Sequence, residues 1–234
     1  MSRDLVLAAI RRSLGVTGSE AGRRAAVEER LAVAAPGVIP ARAQLPPAER
    51  IDLFRRMVEA VNGTVDRVTS PAEVPAALAM FLRAQNLPPQ LRRGEDPFLA
   101  ALPWDTQPTL EVGVGPGTGE LQVGLSRAFA GVAESGTLVL LSGPDNPSTL
   151  NFLPDTHVVC LAAEDVAPDY ESVWSAIRAR YGKGRLPRTV NMVTGPSRSA
   201  DIEQTLLLGA HGPRRLHVIL VGAPAPPPGP AGRA

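Results

Sequence analysis

Three apolar runs constrain this chain most: GTLVLL (136–141), THVVCLA (156–162) and LHVILVG (216–222). Each is apolar on nearly consecutive residues, so a strand built from it needs cover on both faces, as in a parallel sheet. Each is also short for a helix, which leaves the strand as the better reading. Helical periodicity stands in other parts of the chain. In 168–182, Val173, Ile177 and Tyr181 share a face, and in 46–61 Ile51, Phe54, Val58 and Val61 do. Asn62-Gly63 stops the second of these, and TVDRV then reads as a strand. SPAEVPAALAMFLRAQ reads as a helix with Ser70 as cap and Pro71 at its first position. With TLEVGVG and TVNMV as further strands, the alternation predicts an α/β fold with a mostly parallel sheet.

The rest of the chain divides around that core. Residues 1–45 read as a helical arm, with helices over 2–14 and 20–34 and a proline-punctuated connector. Residues 46–222 form the α/β domain. The proline-rich stretch 223–234 has the composition of a disordered tail. Segment 85–108 holds five prolines, with room for a short strand near Leu91 and a short helix near Phe98. The run 124–132 reads as a short helix, and 142–155 as a long loop.

Composition removes several functions. The net charge is +1 with both signs mixed along the chain, which leaves no footprint for nucleic acid or an anionic membrane. Cys160 is the one cysteine, so the chain cannot form an internal disulfide or hold an iron–sulfur cluster, which usually takes four thiolates. Lys183 is the one lysine. No apolar run approaches the ~18–20 residues of a transmembrane helix. The N-terminus MSRDLVLAAIRRSLG lacks the pattern of a signal peptide. A soluble cytoplasmic protein is the expectation. GVGPGTGE (113–120) fails the dinucleotide spacing at Thr118 and at Glu120. The histidines His157, His211 and His217 show no metal-ligand spacing, and His157 and His217 read as hydrogen-bonded structural imidazoles at strand starts.

Three stretches carry chemistry. TGPSRSADIE (194–203) reads as a loop leading into a helix over 199–209. A helix N-terminus offers unpaired N–H groups and partial positive charge. Gly195, Ser197, Arg198, Ser199 and Asp201 would then form a pocket for a carboxylate or phosphate, with Arg198 as a bidentate fork. A plain capped helix, with Ser199 as cap and Arg198 solvated, explains the same residues equally well. In AESGTL (133–138), Glu134 precedes Ser135, Gly136 and Thr137 at a strand start, and its carboxylate could line a cleft or merely sit in a turn. In AHGPRRLHV, His211 could face a cleft or cap a helix.

Taken together, GVAESGTLVLLS, FLPDTHVVCL and TGPSRSADIEQTLLLGAHGPRRLHVILVG resemble the LUD-domain family, in particular its lactate utilization protein C group. The resemblance covers residues 109–222 well. Ser135 stands where threonine is common. It implies a Rossmann-like α/β/α sandwich of the NagB/RpiA/CoA-transferase kind. It also implies a part in oxidising L-lactate to pyruvate beside partner proteins that carry iron–sulfur clusters, with no cofactor evident in this chain. Under that reading the 195–203 loop binds a small anion, Ser135, Gly136 and Thr137 help to hold it, and Glu134 or His211 handles a proton. Two other functions stand beside it: a stand-alone isomerase or transferase acting on a phosphorylated or CoA-linked substrate, and a non-catalytic assembly or regulatory protein.

Overall fold

The computed structural model describes residues 2–33, 35–202, 205–209 and 211–222, so the proline-rich tail and Glu203 lie outside the described residues. Two compact units divide at Ile39/Pro40. The first holds α1 (Arg3–Leu14) and α2 (Ala21–Val33), neither of which buries a residue. The Ser2 hydroxyl accepts from the Leu5 N–H at the start of α1, and Gly15 closes it in the left-handed conformation.

The second unit runs α3 (Pro47–Ala60), β1 (Thr64–Val68), α4 (Val74–Ala84), β2 (Gln90–Arg93), α5 (Pro97–Ala100), β3 (Glu111–Val114), β4 (Val123–Arg127), β5 (Ala130–Val132) and β6 (Thr137–Leu141). It continues with α6 (Ser148–Phe152), β7 (Thr156–Ala162), β8 (Val166–Ala167), α7 (Tyr170–Tyr181), β9 (Val190–Val193), β10 (Arg198–Ile202), β11 (Thr205–Leu208) and β12 (Arg215–Val221). Six strands form one sheet in the order β1-β12-β7-β4-β2-β3, parallel throughout. The apolar runs occupy its centre, as their continuous hydrophobicity requires. Side chains of β7 and β12 divide by parity. Val159, Leu161, Val218 and Leu220 pack toward Phe54 and Val58 of α3, while Val158, Cys160, Ile219 and Val221 pack toward α4.

The fold class is therefore α/β with a mostly parallel sheet, and helices flank it. One face differs from a simple sandwich. A four-stranded mixed sheet, β8-β5-β6-β9, joins α3 in covering the large sheet, and α7 packs behind it through Val173 and Ile177.

Two predicted helices are strands. The run 124–132 contains β4 and β5. Val123, Gly124, Leu125 and Ser126 are all buried, and pairing with β7 overrides the local helical preference. The run 199–209 contains the antiparallel hairpin β10–β11, with Arg198 opposite Leu208, Ser199 opposite Leu207 and Ile202 opposite Thr205. A short apolar run such as TLLL suits either state, and cross-strand pairing decides it. The expected loop 142–155 also contains one turn of helix, α6.

Candidate functional site

The hairpin removes the helix N-terminus from the 194–203 stretch, so an anion held there depends on side chains. The stretch nevertheless borders a cavity. Backbone bonds tie it to the segment before β12: the Ser197 N–H donates to the Pro213 carbonyl at 2.8 Å, and the Gly209 N–H donates to the Ser197 carbonyl at 2.9 Å. Between this loop and the amino ends of β7 and β12 lies a cavity of about 280 Å³. Ser197, Arg198 and His211 border it on the loop side, and Asn151 and His157 on the sheet side. Gly195 sets the loop's path. Its φ is +77°, and a Cβ there would lie 2.8 Å from the Val61 carbonyl oxygen. Ser199 and Asp201 belong to β10.

The floor of this cavity is polar and buried. Ser126 of β4 donates to Asn151 Oδ1 at 2.9 Å. Its one proton is then committed, so the His157 Nε2–H must donate to Ser126 Oγ, 3.0 Å away. That tautomer leaves a lone pair on His157 Nδ1. Both His157 Nδ1 and Asn151 Nδ2 lack partners, although each residue is only 1% exposed. The floor thus retains one spare acceptor and one spare donor. Burial drives the His157 pKa down to about 3, so the imidazole stays neutral at physiological pH. His217, on the opposite face of the sheet, accepts or donates at Nδ1 with Thr64 Oγ1 at 2.8 Å and stacks on Phe81.

The AESGT stretch has a different place. Ser135, Thr137, Tyr170 and Thr194 form a hydroxyl network: Thr137 Oγ1 lies 2.7 Å from Thr194 Oγ1 and from Tyr170 OH, and Ser135 Oγ lies 2.7 Å from Thr137. Gly136, at φ +67°, lets the turn press against α3, where a Cβ would lie 2.6 Å from the Met57–Val58 backbone. These residues brace the loop at Thr194 without bordering the cavity. Glu134 is buried at the start of α7, where its Oε1 accepts from the Tyr170 N–H at 3.4 Å and its Oε2 has no partner. Of the two proton-handling candidates, His211 is at the cavity and Glu134 is not among the residues that border it.

Three residues were not site candidates in the sequence: Asn151 and His157, which border the cavity, and Ser126, which links them from behind. A serine inside a buried strand and a histidine opening an apolar strand are the available signals. Reading 124–132 as a helix concealed the first of them.

The LUD domain model matches residues 51–221. The chain belongs to the LUD domain family. Lactate utilization protein C of Geobacillus sp. (strain WCH70) is 39% identical over 103 residues, 44% of this chain and 43% of that protein. Lactate utilization protein C of Bacillus subtilis (strain 168) is 36% identical over 103 residues, with the same shares. The matched stretch thus spans less than half the length of these relatives. A crystal structure of a DUF162 family protein from Deinococcus radiodurans superposes with a TM-score of 0.56, covering 76% of this chain and 99% of that one at 23% identity. It supports the fold of this LUD domain. Among the described residues, no helix is long and apolar enough to cross a membrane.

Proposed function

We propose that this LUD domain protein serves lactate utilization as a non-redox subunit that holds a small hydroxy carboxylate in the amino-end cavity, beside iron–sulfur partner proteins. The observation that carries the proposal is the polar complement of that cavity: Arg198 and His211 at the loop, and a spare donor and acceptor on the buried Asn151–Ser126–His157 chain. An α-hydroxy acid supplies the matching groups. Its carboxylate accepts from the Arg198 fork and from Asn151, and its hydroxyl donates to His157 Nδ1. The relatives named for lactate utilization supply the physiological context.

Conversion of an α-hydroxy acid to the keto acid releases two electrons and two protons. His211 is the proton acceptor at the cavity and passes protons to solvent, whereas His157, held neutral by burial, only accepts a hydrogen bond. The single thiol, Cys160, is buried in the sheet, and burial pushes its pKa up to about 12. Electron acceptance is therefore assigned to the partner proteins. Co-purification tests the assembly: a tagged chain expressed in lactate-grown cells should bring down cysteine-rich iron–sulfur proteins, and lactate oxidation by the mixture should fall when the chain is withheld. Full oxidation without the chain would refute the subunit role.

A further inference from the structure

A second cavity, of about 670 Å³, lies at the opposite, carboxyl end of the central strands of the six-stranded sheet. The topology accounts for its position. β2 and β4 are neighbours, but β2 leads outward to β3 while β4 leads the other way to β7. Where connections diverge from adjacent parallel strands, a crevice opens outside their carboxyl ends, and open α/β sheets bind ligands there. Asp96 follows β2, Arg127 ends β4 and Asp165 follows β7; all three border the cavity.

Its charges are set in place without close ion pairs, although burial raises the Asp165 pKa and Arg127, acting from a distance, offsets part of that rise. Arg127 stacks over Phe98 at 4.7 Å, and Arg180 lies 5.6 Å from the ring centroid of Phe129. Among the described residues, neither arginine has a carboxylate within ion-pair distance, although Asp96, Asp145 and Asp165 border the same space. Asn146 is only 6% exposed, and its Oδ1 has no partner. The loop that carries it is anchored by the Glu95 N–H donating to the Pro144 carbonyl at 3.1 Å.

We infer that this carboxyl-end cavity binds a sugar-phosphate group, free or as part of a nucleotide. The two guanidinium groups offer N–H forks to a phosphate. The aspartates and the Asn146 carbonyl are acceptors, which call for hydroxyl donors. No group of three or more His, Cys, Asp or Glu among the described residues is placed to hold a metal ion. The volume lies within the ~300–1,000 Å³ of small-molecule sites, well above what a three-carbon acid fills.

Calorimetric titration of the full chain with ribose 5-phosphate, AMP, inorganic phosphate and L-alanine tests this. Ribose 5-phosphate, AMP or both should bind. Binding of AMP alone would mark a nucleotide site, and equal binding would mark a sugar-phosphate site. Arg180→Ala should weaken binding by about tenfold or more, and Asp165→Asn should weaken it too. Arg127→Lys, which keeps charge and bulk but loses the fork, should do the same in a chain of unchanged thermal stability. Arg198→Ala should leave it intact. No binding of either sugar phosphate at millimolar concentration, equal binding of inorganic phosphate or alanine, or indifference to all three cavity variants would overturn the inference.

Discussion

The two ends of the large sheet offer different kinds of cavity. At the amino end, the space is small, and its floor is a buried chain of neutral groups, His157, Ser126 and Asn151. At the carboxyl end, the space is more than twice as large, and charges of both signs border it. The segments rich in distinctive residues, TGPSRS and HGP, meet at the amino end. The strand order, by contrast, points to the carboxyl end. Motif and topology therefore mark separate places in this fold, and each place suits its own chemistry. A neutral, preorganised floor selects by hydrogen-bond pattern, whereas a charged basin selects by charge.

Acid should break the comparison most strongly, because only the amino-end floor depends on a buried neutral histidine. The folded pKa of His157, about 3, lies below the ordinary 6.5. Between these values the unfolded chain binds more protons. Stability from this group is thus fully present above about pH 6.5 and is lost as pH falls toward 3. The slope approaches about 1.4 kcal/mol per pH unit. His217, lowered to about 4 by burial, adds to it over the upper part of that range. Asp66 and Asp165, raised by burial, act in the opposite sense. Urea unfolding of wild type and His157→Gln at several pH values isolates the His157 contribution: the variant should show a flatter acid limb, and an identical limb would remove the imidazole from the account.

Ser126→Ala sharpens the contrast at neutral pH. It strands the His157 N–H and the Asn151 carbonyl, at a cost of about 1–3 kcal/mol in denaturant titration. Hydroxy-acid binding at the amino end should weaken while the carboxyl-end cavity keeps its ligand. Gly195→Ala meets both an unfavourable φ and the Val61 carbonyl. It should destabilise by about 1–2 kcal/mol, shift Arg198, and again spare the carboxyl end. Thr137→Val, which cuts the hydroxyl brace at Thr194, should have the smallest effect, about 0.5–1.5 kcal/mol by thermal unfolding.

Much of the fold was legible in sequence because the central strands are buried on both faces and say so in consecutive apolar residues: THVVCLA became β7 and LHVILV the body of β12. The failures have one physical source. VGLSR and TLLL are short, and their helical and extended forms differ locally by little; the neighbours that decide, β7 for the first and β10 for the second, lie far away or across a turn. The candidate site was legible in part. Arg198, Ser197 and His211 do share a cavity, joined by backbone bonds that no spacing rule reveals. Ser135 and Thr137 brace that loop from outside, and Glu134 lies under α7. Arg127, Asp96 and Asp165 come together only once strand order is known, since neither charge nor motif singles them out along the chain.

Titration of the purified full chain with L-lactate, in wild type, Arg198→Ala and Arg127→Lys, tests the central claim most directly. The account predicts saturable binding to wild type, a loss of about tenfold or more in Arg198→Ala, and unchanged binding in Arg127→Lys. Binding that survives Arg198→Ala and fails in Arg127→Lys would place the hydroxy acid at the other end of the sheet and contradict it.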